Sequence, residues 1–244
     1  MPGLRSATDA VHTLRFGTAS ARLGPWAPDR EVARLVVSPD ATLDGGAVEA
    51  CVERARSLGY RALVTNALDP REAVPFLAHD FAVRERLHLL VASLHERLPA
   101  RPSPEIRIDR VRRREEAAVL ALDAAAFRPD WRLGTAGLRD ALDATPQHQF
   151  RATRADDTTT MTGYAITGLA GATGYLQRIA TDPRRRREGL GRALVLDCFA
   201  YLWRRGASRA FVNTQSDNVA ALTLYVSCGF ERLPDGLTVL ERAL

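Results

Sequence analysis

Four consecutive arginines lead into a glycine-containing turn at residues 184–191, which read R-R-R-R-E-G-L-G. The apolar strand before them stops at Asp182-Pro183, because proline cannot donate a hydrogen bond to a strand ladder. A helix begins again after Gly189 and Gly191. Glycines let a ligand approach the backbone closely, and the free N–H groups of a first helical turn favour an anion. The stretch therefore predicts an anion-binding turn between a strand and a helix.

Three interpretations of this turn compete. A Rossmann dinucleotide site requires G-x-G-x-x-G, and a P-loop requires G-x-x-x-x-G-K-[ST]. Neither pattern is present, and the chain contains no lysine. An ordinary strand-to-helix turn with a solvated arginine run remains the alternative to an anion site.

A second pattern, D-N-V-A-A-L-T-L-Y-V-S-C-G-F, occupies residues 217–230. Asn218 and Tyr225 are seven residues apart, which on a helix places them about two turns apart on nearly one face. Both side chains can therefore face one ligand. The alternative is that Asn218 only caps the helix and Tyr225 belongs to the core.

These two patterns together resemble the GCN5-related N-acetyltransferase (GNAT) superfamily. The R-x-x-G-x-G of its diphosphate loop is matched by Arg186, Gly189 and Gly191. Its closing signature, N-x-x-A-x-x-L-Y-x-x-x-G-F, is matched by Asn218, Ala221, Leu224, Tyr225, Gly229 and Phe230. The segment F-R-P-D-W at residues 127–131 further resembles the amino-terminal alanine acetylase branch.

The resemblance implies a cofactor, acetyl-CoA, and a set of site residues. Coenzyme A would be held by Ile179, Ala180, Thr181, Arg186, Arg187, Glu188, Gly189, Leu190, Gly191, Arg192 and Asn218. Tyr225 would protonate the departing thiolate, and a backbone N–H near Ile179 would stabilise the oxyanion. The acceptor would lie near Phe127, Asp130, Trp131 and Asn213. The implied function is acetyl transfer from acetyl-CoA to a primary amine, by direct attack in a ternary complex.

One position departs from the family pattern. The branch that the chain resembles carries a glutamate as general base in its fifth strand, and the matching position here is Asn213, which cannot accept a proton at neutral pH. Deprotonating a lysine at pH 7 costs roughly 4.6 kcal/mol, whereas an α-amine costs only about 1 kcal/mol. The sequence therefore favours a low-pKa acceptor, either a small amine or a protein N-terminus. A non-catalytic acyl-CoA sensor is the alternative.

Composition excludes several other classes of protein. The net charge is +5, but apart from Arg112–Arg114 and Arg184–Arg187 the arginines alternate with acidic residues. Few aromatic residues are interleaved with the basic runs, so we expect no nucleic-acid partner. No apolar run could cross a bilayer, and residues 1–13 lack the apolar core of a signal peptide, so we expect a cytoplasmic protein without a membrane partner. The scattered cysteines and histidines predict no metal site. A monomer or a homodimer is expected.

The coarse pattern predicts an α/β (α+β) chain with a GNAT fold, in which helices flank a mixed central sheet. A proline-rich linker at 99–104 separates domain 1–98 from a catalytic domain 105–244. From Glu105 the predicted order is β-α-α-β-β-β-α-β-α-β-β, ending in a hairpin through Pro234-Asp235-Gly236.

The first hundred residues are interpreted as a truncated, degenerate second GNAT copy in tandem. Arg34–Ala47 aligns with Arg178–Gly191, and Arg61–Asn66 aligns with Arg209–Thr214. This copy lacks the arginine run and carries Asp44 where an anion would lie. The alternative is that any strand-helix-strand-helix unit would align as well. We therefore expect a splayed sheet in this half and one coenzyme A per chain, held by residues 104–244.

Overall fold

The computed structural model describes residues 11–26, 29–38, 42–94, 102–155 and 159–244. The strands are β1 (His12–Phe16), β2 (Ala19–Trp26), β3 (Asp29–Val37), β4 (Ala62–Thr65), β5 (Ala82–Ser93), β6 (Ile108–Arg110), β7 (Gln147–Arg154), β8 (Met161–Ala170), β9 (Thr173–Thr181), β10 (Arg209–Gln215), β11 (Glu231–Arg232) and β12 (Leu237–Ala243). The helices are α1 (Gly45–Ser57), α2 (Pro70–Leu77), α3 (Glu116–Ala126), α4 (Thr135–Asp143), α5 (Leu190–Arg204) and α6 (Val219–Ser227).

The chain divides into two compact units. The first comprises Met1–His88 and Pro234–Leu244, and the second comprises Leu89–Leu233. The division falls within β5 and at Pro234, which differs from the predicted linker at 99–104. Residues 1–10, 95–101 and 156–158, which include part of that linker and the start of the chain, lie outside the described residues.

The first unit contains a sheet in the order β1-β2-β3-β4-β12-β5, where only β3 and β4 run parallel. Helix α1 buries Val48, Cys51, Val52 and Ala55 against this sheet, as its helical spacing predicts. Helix α2 begins with a capping box of Asp69 and Glu72 around Pro70, the residue that fits the first helical position.

The parallel pair β3–β4 is not splayed, contrary to prediction. The strands stay paired from Val32↔Ala62 to Leu35↔Thr65. Beyond that point, the Asn66 N–H donates to the Leu35 carbonyl at 2.8 Å, and the Asn66 side-chain oxygen accepts from the Val37 N–H at 3.0 Å. Asn66 therefore closes the end of the pair, and no cleft opens there.

The second unit contains a mixed sheet in the order β5-β10-β9-β8-β7-β6, with β11 beside β5. Strand β8 separates two cores because successive side chains point to opposite faces. Tyr164 and Ile166 pack with α3 and α4, whereas Ala165 and Leu169 pack with α5. This flanked mixed sheet confirms the predicted fold class and element order, and the described helices include none that is long and apolar enough to span a bilayer.

The predicted terminal hairpin is wrong. Strand β11 pairs with Leu90 and Val91 of β5, and β12 pairs with β5 between Ala82 and Leu87, so β11 and β12 follow the same strand instead of pairing with each other. The segment Pro234-Asp235-Gly236 interrupts this edge because proline cannot donate to the ladder. It therefore forms a break along β5 and not a reversing turn.

Candidate active site

The opening between β9 and β10 is the central feature of the second unit. The two parallel strands pair only from Thr173↔Arg209 to Tyr175↔Phe211. Strand β9 continues to Thr181 and β10 to Gln215 without further pairing between them. The register of β8 and β9 shifts just beyond the last pair, where Gln177 is the extra residue of a β-bulge. Bulges bend a strand and increase its twist, so this one accounts for the separation.

The backbone polarity of β9 is set by its pairing with β8. Asp182 donates its N–H to the Thr162 carbonyl at 2.8 Å. Hydrogen-bonded and non-bonded pairs alternate along an antiparallel ladder, so Ala180 bonds toward β8. The N–H groups of Ile179 and Thr181 therefore point to the opposite edge, where β10 has separated. This edge offers backbone hydrogen bonds to an extended ligand.

The turn that follows β9 is left-handed at two positions. Gly189 has φ +78° and Arg187 has φ +70°. Gly189 precedes α5 as its N-cap and supplies no side-chain hydrogen bond, so the first-turn N–H groups of α5 receive none from the capping position. By contrast, the Asp44 carboxylate at the start of α1 accepts from the Ala47 N–H at 2.8 Å. The helix start in the second unit is thus open to an anion, and its counterpart in the first unit is capped.

The four arginines divide into two structural roles. Arg184 pairs with Asp182 at 2.8 Å, and Arg185 pairs with Glu188 at 2.6 Å. Hydrogen bonds from the Arg184 side chain and backbone N–H lower the pKa of Asp182 to about 2, so this carboxylate is ionised at neutral pH. Arg186 and Arg187 are exposed, and within the described part of the chain neither forms an ion pair. Two guanidinium groups are therefore left to attract an anion.

Gly191 and its neighbours fix the first turn of α5. A Cβ atom at position 191 would lie 2.9 Å from Leu224 Cδ2 and 4.0 Å from Thr181 Cγ2, so glycine allows α5, α6 and β9 to approach. Leu190 is buried and anchors the turn. The Arg192 side chain donates from Nη1 to the Ser227 carbonyl at 3.0 Å, which ties it to the end of α6.

Helix α6 carries both residues of the second motif. The Asn218 side-chain oxygen accepts from the Ala221 N–H at 3.1 Å, so it caps the helix, while the amide NH₂ keeps its donors. Tyr225 is buried, and its ring centroid lies 5.7 Å from that of Phe230. Burial raises the pKa of Tyr225 above its ordinary value, so the phenol stays protonated at neutral pH. Tyr225 is thus a core side chain that still carries a transferable proton.

Asp123 and Arg178, which the sequence analysis did not identify, form a buried ion pair beside the bulge. Asp123 on α3 is fully buried and accepts from Arg178 Nε at 2.8 Å and Nη2 at 3.0 Å. Its carboxylate also accepts from the Tyr164 hydroxyl at 2.5 Å and the Leu133 N–H at 2.7 Å. A lone aspartate inside the alanine-rich helix α3 was the available sequence signal, because carboxylates are rarely buried without a partner.

The predicted acceptor residues lie in two places. Phe127 faces Arg178, whose guanidinium carbon is 3.6 Å from the centre of its ring, and the Trp131 carbonyl accepts from Arg178 at 2.6 Å. Asp130 lies in the same turn and is exposed. Asn213 is exposed on β10 beyond the last pair with β9. The loop 127–133 and the separated part of β10 are therefore the two elements that carry these side chains.

The described residues contain no cluster of histidine, cysteine and carboxylate side chains that could hold a metal ion. Burial raises the pKa of the Cys51 and Cys198 thiols to about 12, which keeps both protonated at neutral pH.

Residues 116–230 match the model of the Acetyltransferase (GNAT) family. A mycothiol acetyltransferase of Renibacterium salmoninarum is 34% identical over 128 residues, which cover 48% of this chain and 38% of that protein. A ribosomal protein bS18-alanine N-acetyltransferase of Escherichia coli is 39% identical over 70 residues, covering 29% of this chain and 47% of that enzyme. The chain thus matches less than half of the length of either relative.

Two solved structures share the fold at low sequence identity. A tandem GNAT protein from the clavulanic acid biosynthesis pathway aligns with a TM-score of 0.68 at 16% identity, covering 98% of this chain and 84% of that one. A GCN5-related N-acetyltransferase from Kribbella flavida aligns with a TM-score of 0.63 at 17% identity, covering 95% of this chain and 88% of that one. The predicted GNAT fold is therefore confirmed, and one of the two neighbours is a tandem GNAT protein.

Proposed function

Because residues 116–230 match the GNAT family model, we propose that this chain is an N-acetyltransferase that moves the acetyl group of acetyl-CoA to a primary amine. The observation that carries this proposal is the opening between β9 and β10, which lies next to the uncapped start of α5. An extended pantetheine arm can pair with the free edge of β9, and a diphosphate can accept from the first-turn amides of α5. The two features suit the two halves of coenzyme A.

The proposed cofactor contacts are mostly backbone groups. The edge 179–181 would pair with the pantetheine amides, and the amides of residues 188–192 would bind the diphosphate, with Arg186 and Arg187 adding charge. The Asn218 amide would donate to the arm from the start of α6. Glu188 would act through its backbone N–H, because its carboxylate is negative and pairs with Arg185.

Most of the acceleration would come from holding the amine against the thioester. Positioning of this kind converts a bimolecular encounter into an oriented one. As the amine nitrogen attacks the thioester carbon, the carbonyl oxygen gains negative charge, and the outward N–H of Ile179 would donate to it. The C–S bond then breaks, Tyr225 would protonate the sulfur, and the amine nitrogen would lose its proton to water.

The acceptor is proposed to be an α-amine, either of a small molecule or of a protein N-terminus. Asn213 lies on the open part of β10 and cannot act as a base, so the site favours an amine that loses its proton readily. Both relatives described above are named as acetyltransferases, and one is named for acting on an alanine. The same absence of a base at position 213 supports a second candidate, a non-catalytic acyl-CoA sensor.

The first test is coenzyme A binding by the full chain, followed by acetyl transfer to alanine amide and to Nα-acetyl-lysine amide, with free thiol as the readout. We expect coenzyme A to raise Tm, calorimetry to give one site per chain, and alanine amide to be the better acceptor. Binding without transfer to any amine would favour the sensor. Two equivalent sites, or no binding, would contradict the assignment to the second unit.

A further inference from the structure

The Asp123–Arg178 pair joins the open strand to the acceptor loop. Arg178 follows the bulge at Gln177 and directly precedes Ile179, whose N–H faces the opening. Its Nη2 donates to the Trp131 carbonyl, while Asp123 accepts from the Leu133 N–H. One ion pair thus holds both the strand that would polarise the thioester and the loop 127–133.

The pair is oriented with its positive end outward. Asp123 is fully buried, whereas 13% of the Arg178 side chain is exposed. The carboxylate charge is shared among the guanidinium, the Tyr164 hydroxyl and the Leu133 N–H. Burial raises the pKa of Tyr225, and the positive charge of Arg178 opposes this rise with a smaller effect.

The Nη1 group of Arg178 lies outside the hydrogen bonds to Asp123 and Trp131, and the guanidinium plane is fixed by those bonds. Nε and Nη2 make the bonds to Asp123 and Trp131, and none of these bonds uses the two N–H groups of Nη1. The Phe127 ring covers the guanidinium at 3.6 Å, which restricts its orientation. Such a group donates well to a carbonyl or carboxylate oxygen and disfavours a nearby ammonium ion.

We propose that Arg178 determines acceptor specificity by selecting a neutral α-amine whose neighbouring carbonyl or carboxylate oxygen accepts from Nη1, with Asp123 as its positioning residue. This proposal rests on the proposed acetyltransferase function. The fixed positive charge lowers the pKa of a bound acceptor amine and so substitutes in part for the missing base at position 213. A lysine side chain lacks the oxygen adjacent to an α-amine, and its amine has a higher pKa. Both differences disfavour it as the acceptor.

The test compares wild-type protein with Arg178→Met and Arg178→Lys, using alanine amide and Nα-acetyl-lysine amide as acceptors. In Arg178→Met we expect KM for alanine amide to rise about tenfold, as for loss of one charge-assisted hydrogen bond, with KM for acetyl-CoA within about twofold of wild type. The acidic limb of the kcat profile, which reports the bound amine, should move to higher pH, and the preference for alanine amide should fall. Arg178→Lys should restore part of the pH profile by keeping the charge.

Arg204→Met removes an exposed arginine at the end of α5 and serves as the matched control for net charge. Because the pair is buried, each variant is also required to show the coenzyme A-induced rise in Tm. If Arg178→Met does not show it, the pH profile and the acceptor preference are measured in Arg178→Lys and Tyr164→Phe instead. An active wild type whose pH profile and acceptor preference are unchanged in a folded Arg178 variant would overturn this inference alone. A wild type that acetylates no amine would instead overturn the proposed function.

Discussion

Gly191 on α5 lies directly against Leu224 on α6, so closely that a Cβ atom at position 191 would be 2.9 Å from Leu224 Cδ2. This approach brings the R-x-x-G-x-G turn and the closing motif that ends in Gly229 and Phe230 into contact. We expect Gly191→Val to weaken coenzyme A binding by about 100-fold or more, because the branched side chain both displaces Leu224 and crowds the first-turn amides. Calorimetry measures the affinity, and wild-type affinity in this variant would contradict the loop assignment.

Gly189 offers a test that separates backbone strain from ligand binding. Gly189 at φ +78° and Gly171 at φ +57° both lie in the left-handed region, where any L-residue is strained. Alanine at either position should cost about 1 kcal/mol of folding free energy. Only Gly189→Ala should also weaken coenzyme A binding, since Gly171 belongs to the turn between β8 and β9. Equal affinity in both variants would count against Gly189 as part of the site.

Arg186 and Arg187 should contribute to affinity through charge alone. Each alanine variant is expected to weaken coenzyme A binding several-fold, corresponding to about 1 kcal/mol or less at low salt, and the loss should shrink as salt is added. Titrations at two ionic strengths measure this dependence. Arg204→Ala is the control because it removes an exposed arginine remote in sequence from the turn. A salt-independent loss would indicate a structural role instead.

Tyr225→Phe should lower kcat by about 10²- to 10⁴-fold and leave acetyl-CoA affinity nearly unchanged. In the proposed mechanism the phenol acts on the thiolate that develops during the reaction, whereas phenylalanine preserves the packing against Phe230. Steady-state kinetics with calorimetric affinities test this. Tyr201→Phe, another buried tyrosine in the same unit, is the control. Unchanged turnover in Tyr225→Phe would remove Tyr225 from the mechanism.

Asp182→Asn should lower stability in a pH-dependent manner. The pKa of Asp182 is depressed to about 2 from 3.8, so its stabilisation is complete above pH 3.8 and is lost as the pH falls through about 2. We expect a difference of about 1 kcal/mol at pH 7, reduced because the partner Arg184 is largely exposed. Denaturant unfolding at pH 7 and near pH 2 should show this difference disappear in acid. A constant difference would mean that the ion pair is not its source.

The sequence by itself determined the element order of residues 105–244 and the positions of the two motifs. Glycine and proline interrupt strands and helices locally, and the helical and strand periodicities are local as well, so Gly189, Gly191 and the Asn218 cap could be located without coordinates. The family resemblance indicated a backbone N–H near Ile179, but local pattern could not show that Gln177 forms the bulge beside the opening, because a bulge is a property of the pairing register.

Only the tertiary structure decided which partners the remaining residues have. Asn66 closes the end of β3–β4 through a contact that depends on the register of the two strands. Local sequence pattern therefore could not show that the splay predicted for the first unit is absent. The partnership of Asp123 with Arg178 spans 55 residues of chain and requires α3 to pack on β9. Likewise, β11 and β12 resemble a hairpin in sequence but pair with β5, because strand pairing depends on which edge is available in the folded sheet.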